Sequence, residues 1–207
     1  RLTGTDASKT KDIVQGLPRV EELFEARRPK DAAVLSEIDG IVDISDESTY
    51  RTICVIGEEG LRKEYKVPYG VRLLCYSGKD VKRGDQLVSG VISPHDILST
   101  RGVLETQAYL GDEIQKVYRS QGVQINNKHI EVIVRQMTRK VSVTEMGDSV
   151  FLPNELVDIR TFNKANEKLV QSGKKAAEAE RTLLGVTRAS LNTESFVSAS
   201  SFQQTAS

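Results

Sequence analysis

Val67-Pro68-Tyr69-Gly70 and, a little further on, Ser77-Gly78-Lys79-Asp80-Val81-Lys82-Arg83-Gly84-Asp85-Gln86-Leu87-Val88 decide the fold. Apolar residues come singly or in pairs, and Pro68, Gly70, Gly78 and Gly84 interrupt them at turn spacing. Glycine supplies positive φ and proline fixes φ, so the chain must reverse repeatedly here. The same pattern extends outward from Ala32 to Ser89. Val34, Ile38, Ile41-Val42, Ile44, Ile53, Val55, Leu61, Tyr65 and Leu73-Leu74 alternate with polar neighbours, and Gly40, Gly57 and Gly60 add further turns. A period of two between frequent turns predicts short strands closed into a small barrel or sandwich.

The spacing Val67-Pro68-x-Gly70 followed by Ser77-Gly78-x-x-Val81-x-x-Gly84-Asp85-x-Leu87 resembles a barrel-sandwich hybrid, the fold shared by biotin- and lipoyl-carrier domains. Residues 31–93 are therefore expected to form an all-β module with no helix across Arg51 to Val67.

The flanks read as helices. Upstream, Leu17, Val20, Leu23 and Phe24 form a helical stripe. Pro18 suits a helix start, the robust part is predicted over Leu17 to Arg27, and Pro29 is expected to stop it. Glu21, Glu22, Glu25, Arg27 and Arg28 supply a salt-bridged outer face. Downstream, Pro94-His95-Asp96-Ile97-Leu98 opens a short helix, and a longer one is predicted from about Val103 to Gln121, with Leu110, Ile114 and Val117 on one face and Gly122 as its stop. In Ile125-Asn126-Asn127-Lys128-His129-Ile130-Glu131-Val132-Ile133-Val134-Arg135-Gln136-Met137, Asn126 or Asn127 can cap a helix. Ile130, Ile133, Val134 and Met137 give it a core face. A strand near Lys140 to Thr144, a turn at Met146-Gly147-Asp148 and a polar helix over Phe162 to Gln171 with Gly173 past its end follow. The fold class expected is α+β: a small all-β barrel-sandwich followed by a mainly helical segment.

Composition narrows the function. The chain has 207 residues, 29 Lys+Arg and 29 Asp+Glu, and a net charge of zero. That balance does not suggest a free-standing nucleic-acid binder. Local excess is another matter. From Arg119 to Lys140, Arg119, Lys128, Arg135, Arg139 and Lys140 face only Glu131. Clustered on one face, such cations bind phosphate. Cys54 and Cys75 lie apart in apolar runs without a Cys-x-x-Cys pair, which speaks against a zinc site of that kind and for buried thiols. No apolar run reaches membrane-spanning length and no signal peptide is visible. The chain starts with Arg and ends in what reads as an unfinished helix, Ser201 to Ser207, so a piece of a longer chain is expected.

No catalytic constellation emerges. His95 and His129 are the only histidines, and there is no phosphate-binding Gly-x-x-x-x-Gly-Lys-Ser/Thr loop. Asp39, Asp43 and Asp46 do not have calcium-loop spacing and read as turn and strand-edge residues. His129, one residue inside a helix start, has no acidic or thiol partner nearby in sequence and reads as structural or as part of an interface.

Several motifs in order resemble the largest catalytic subunit, beta-prime, of bacterial-type RNA polymerase. Tyr118-Arg119-Ser120-Gln121-Gly122-Val123 and Lys128 to Met137 look like the helix that follows the downstream jaw. Asp12 to Arg27 resembles the second helical arm of the trigger loop, Arg28-Pro29-Lys30 the lead into the jaw, and Pro94-His95-Asp96-Ile97-Leu98 the exit from it. Leu184 to Leu191 and Ser195 to Gln203 are similar to the segment entering the first switch region at the clamp base. The resemblance divides the chain into a loop and second trigger-loop helix (1–30), the β jaw module (31–93), a helical segment with short strands (94–182) and a clamp-base segment (183–207).

That resemblance implies a non-catalytic part of a multisubunit DNA-dependent RNA polymerase, a nucleotidyltransferase, that grips downstream DNA and hinges the trigger loop. It implies phosphate contacts from Arg119, Lys128, Arg135 and Arg188, and a trigger-loop arm that includes Gly16, Leu17, Pro18 and Arg19. It also implies partners: the rest of beta-prime, the beta, alpha and omega subunits, sigma factor and downstream duplex DNA, with no membrane. The location would be the cytoplasm, at the nucleoid, or the plastid stroma for an organellar chain. The Asn-Ala-Asp-Phe-Asp-Gly-Asp loop that holds catalytic Mg²⁺ in the family does not occur here, so no cofactor is expected on this chain. Arg1 to Thr10 departs from the trigger-loop tip and fits the end of a lineage-specific insertion. Two other readings stand beside this one. A biotinyl- or lipoyl-type carrier needs a lysine before Asp39-Gly40-Ile41-Val42, where Glu37-Ile38 stands instead. A stand-alone structural adaptor fits poorly with the missing start and unfinished end.

Overall fold

Alternating burial along three strands builds the first sheet. The computed structural model describes residues 16, 18–192, 200 and 203, and divides into two compact units, one of 28–106 and one that joins the N-terminal arm to everything from 107 onward. In the first unit, β1 (Gly40–Asp46), β2 (Tyr50–Ile56) and β3 (Arg62–Pro68) form an antiparallel meander, and β4 (Asp80–Val81) pairs with the other side of β1. The register puts Val42 opposite Val55 and Ile53 opposite Tyr65, so one face collects Val42, Ile53, Val55 and Val67. Because side chains alternate faces with a period of two, that register specifies the core.

The rest of the unit curls over this face. Cys75, Val81, Leu87 and Val88 complete the cluster, and bridges Leu73 to Val88 and Leu35 to Gln86 pin the irregular segments. Burial raises the Cys75 thiol above its ordinary pKa, which keeps it protonated. No helix crosses Arg51 to Val67 beyond a single 3-10 turn at Glu58–Gly60. The helix α2 (Pro94–Arg101) belongs with this module, since the Arg101 guanidinium donates to the Gly84 carbonyl and Arg83 Nη2 to the Ser99 carbonyl at 2.6 Å.

The second unit contains α1 (residues 18–24), α3 (Val103–Ser120) from residue 107 onward, α4 (Asn127–Met137), α5 (Ile159–Gln171) and α6 (Val186–Leu191), with a sheet of order β6-β5-β7. Its strands are β5 (Lys140–Glu145), β6 (Leu156–Asp158) and β7 (Glu178–Arg181). Val141, Val143, Phe151, Val157, Phe162 and Ala177 fill the space between the sheet and α5, with the Phe151 and Phe162 rings stacked 5.7 Å apart. Leu110 and Ile114 of α3 and Ile130, Val134 and Met137 of α4 are buried.

Three details correct the sequence reading. α1 ends at residue 24 and not at Arg27, because Ala26 adopts φ 49° and the Arg27 and Ala26 amides close back onto the Glu22 and Leu23 carbonyls. That is the Schellman stop usually made by glycine, so Pro29 is not what ends the helix. Ile133 is 37% exposed, which narrows the α4 core face to Ile130, Val134 and Met137. The helix expected over Phe162 to Gln171 starts at Ile159, where Asp158 caps it by accepting from the Arg160 amide at 2.9 Å. Leu17 and the stretches 1–15 and 193–199 lie outside the described residues, as do 201–202 and 204–207.

Candidate nucleic-acid interface

α3 and α4 run antiparallel as a hairpin, and side-chain amides, one buried and one half-buried, hold it shut. Gln115 Nε2 donates to the Ile125 carbonyl at 2.6 Å and to Asn127 Oδ1 at 2.7 Å, while Gln107 Nε2 donates to Thr138 Oγ1 at 2.6 Å near the open end. Gly122, at φ 75°, ends α3 with the Val123 amide returning to the Tyr118 carbonyl. Asn126, not Asn127, caps α4 by accepting from the Lys128 amide at 3.1 Å. Arg119 and Lys128 therefore flank the same turn. Lys128 and Arg135 are seven residues apart, two helical turns, and share the side of α4 opposite its core face.

α6 packs against α4, and the Leu184 amide ahead of it donates to the Met137 carbonyl at 2.9 Å. Arg188 is thus carried on a helix packed against α4. The start of α6 is clamped by the N-terminal arm. Thr187 Oγ1 donates to Glu25 Oε1 at 2.5 Å, and a Cβ at Gly185 would stand 2.6 Å from the Glu25 carbonyl oxygen. Only glycine admits that approach.

All four candidate cations, Arg119, Lys128, Arg135 and Arg188, are exposed, and none of their side chains forms an ion pair or hydrogen bond among the described residues. Glu131 pairs with neither Lys128 nor Arg135. Arg139, by contrast, is engaged: it forms an ion pair with Asp158. Lys128 lies in the first turn of α4, which has no acid, where the helix dipole disfavours a cation. Its charge does not serve the helix.

The trigger-loop arm candidates divide differently. Arg19 is bound on both sides, to Glu22 at 2.8 Å and to Glu113 of α3 at 3.3 Å. Burial pushes the Glu113 carboxyl up, but hydrogen bonds from Lys116 and Arg19 outweigh it and hold the pKa below the ordinary value. Gly16 is buried, and a Cβ there would collide with the Gln121 side chain. Pro18 is exposed. Arg19 thus fastens the arm to α3. Among the aspartates, Asp39 accepts from the Arg83 amide at 2.5 Å and Asp46 pairs with Arg51 at 3.1 Å. Among the described residues no group of three or more His, Cys, Asp or Glu could hold a metal ion, and no helix is long and apolar enough to cross a membrane.

A family model for RNA polymerase Rpb1, domain 5, matches residues 47–194. The DNA-directed RNA polymerase subunit beta' of Acetivibrio thermocellus is 55% identical over 194 residues, covering 94% of this chain. That of a Thermoanaerobacter species is 53% identical over 195 residues, again 94%. The chain belongs to the RNA polymerase beta-prime family. It spans 17% and 16% of the length of those two relatives. In the segment where a carrier domain would need its lysine, Glu37 is ion-paired to Lys63 at 2.7 Å.

One surface escaped the sequence reading. Arg160, Lys164 and Lys168 of α5 are exposed and likewise make no side-chain ion pair or hydrogen bond among the described residues. Their i, i+4, i+8 spacing was the available signal.

Proposed function

We propose that this chain is a non-catalytic part of a multisubunit DNA-dependent RNA polymerase, gripping downstream duplex DNA and supporting the trigger loop. The observation that carries the reading is the set of exposed cations Arg119, Lys128, Arg135 and Arg188 on the α3–α4 hairpin and α6, unpaired among the described residues. Cations without carboxylate partners suit phosphate oxygens, which are contacted irrespective of base sequence. The arm ending at Ala26 rests on α3 through Arg19 and Glu113 and on α6 through Glu25, which suits the fixed base of a trigger-loop arm.

Polymerisation itself would take place elsewhere. The residues present do not fit the family's Mg²⁺ site, because the Asn-Ala-Asp-Phe-Asp-Gly-Asp loop is absent from the sequence and no carboxylate cluster replaces it among the described residues. The purified chain should therefore show no template-directed nucleotide transfer with Mg²⁺. The remaining beta-prime segments, the beta, alpha and omega subunits and sigma factor are the partners this role requires, with the bacterial cytoplasm or the plastid stroma as its place.

Lifetime of the assembled enzyme's DNA complex against salt tests the reading. Arg188→Gln should shorten it on every sequence and lower the log–log salt slope by about one unit. An unchanged slope with normal assembly removes Arg188 from the interface.

A further inference from the structure

α5 carries a row of cations that the function proposed above does not use. Arg160, Lys164 and Lys168 fall within roughly 80° of the helix circumference and along roughly 12 Å of its axis, from the helical repeat of 3.6 residues and 1.5 Å rise. The opposite side faces the core: Phe162 is buried and Ala165 packs against the same cluster. All three cations are exposed, and their side chains form no ion pair or hydrogen bond among the described residues. Past Gly173, Lys174 is also exposed, whereas Lys175 is held by Glu145 at 3.2 Å. From Ile159 to Lys175, Arg160, Lys164, Lys168, Lys174 and Lys175 face the single acid Glu167 on a chain of zero net charge.

The helix dipole accounts for Lys168, in the last turn of α5, but not for the start of the row. Arg160 stands in the first turn of α5, which contains no acid, and the dipole there favours anions. Nor does the row look like a protein-docking face. Its neighbours Thr161, Asn163, Glu167 and Gln171 are polar and exposed, Glu167 forms no ion pair among the described residues, and the exposed Val170 points about 120° away from the row. Protein interfaces take their affinity from buried aromatic, aliphatic and arginine anchors in pockets, and no apolar anchor stands on this row. Long flexible cations in a line, without carboxylate partners and without apolar anchors, suit a strand of phosphodiesters.

We propose that Arg160, Lys164 and Lys168 form a second nucleic-acid contact, separate from the α3–α4–α6 cations, that binds the phosphate backbone without reading bases. The test measures anisotropy of a labelled 30-base-pair duplex of arbitrary sequence, titrated with this chain between about 50 and 200 mM salt. The triple change Arg160→Gln, Lys164→Gln, Lys168→Gln should lower the slope of log affinity against log salt by roughly 2.7 units, about 0.9 per phosphate contact. The same decrement should appear when Arg119, Lys128, Arg135 and Arg188 are already Gln, which separates this proposal from the preceding one. The charge-keeping change Arg160→Lys should retain the slope. If the triple variant unfolds, Lys164→Gln alone should lower the slope by about one unit. An unchanged slope in both backgrounds overturns the proposal, and so does displacement by polyglutamate at lower charge concentration than by duplex, which assigns the row to an acidic protein.

Discussion

α4 and α5 share one plan and differ in what stands among their cations. Both are capped at the start by a side chain, Asn126 and Asp158, and both bury a narrow inner stripe. On the outer side of α4, Lys128 and Arg135 are separated by Glu131 and by Val132, which is 62% exposed. On α5 the corresponding row has no apolar residue between Arg160, Lys164 and Lys168. A face that mixes charge with a large exposed aliphatic residue can be covered by protein as well as touch phosphate. A row of cations without an apolar anchor, with Glu167 as the one acid beside it, favours the second use. A count of net charge over each stretch treats the two helices as alike, and only the positions around the helix distinguish them.

The sharpest contrast is between inner and outer faces. Phe162→Ala in α5 and Met137→Ala in α4 should destabilise the chain by about 3–5 and 2–5 kcal/mol in urea unfolding, because each empties a buried site. Neither should alter the salt slope of DNA binding. A slope change with either would break the division between packing and contact.

The caps come next in size. Asn126→Ala removes one hydrogen bond at an exposed helix start and should cost about 1 kcal/mol. Asp158→Ala should cost more, about 2 kcal/mol, since it is a buried cap that also pairs with Arg139. Equal losses would mean that the link from Arg139 to the start of α5 contributes nothing.

Acid sensitivity follows from Glu113. Its folded pKa lies below the ordinary value, so its contribution is complete above the unfolded pKa and disappears as the pH falls through the folded one. Glu113→Gln should lower stability at neutral pH and flatten the acid limb of the stability profile. The smallest stability effect belongs to the outer faces: Lys128→Gln and Lys164→Gln should each change stability by less than about 0.5 kcal/mol, since neither side chain has a partner among the described residues.

Much of this was legible in the residues. Alternation in Ile41-Val42-Asp43-Ile44 and Ile53 to Val55 marks strands because a register slip would expose the whole apolar set. Gly122 and Gly173 mark helix ends because only a residue tolerant of positive φ closes the turn. Ala26 hid the end of α1, since alanine is ordinarily a helix former and nothing local announces its φ of 49°. β6 and β7 were not foreseen: Leu156–Asp158 is too short for a pattern, and Glu178–Arg181 is mostly polar because it is an exposed edge. For the site, the sequence showed the basic excess but not which cations were engaged. Arg19 and Arg139 find acids at Glu113 and Asp158, far away in the chain, whereas Arg119, Lys128, Arg135 and Arg188 find none among the described residues.

The most direct test of the account is what touches residue 188. A photo-cross-linking side chain placed there in the assembled polymerase, bound to a labelled template, reports its neighbour without passing through affinity. The account predicts cross-links to duplex DNA downstream of the active site, with yields that fall as salt rises. Cross-links to protein subunits alone, at any salt, would contradict it.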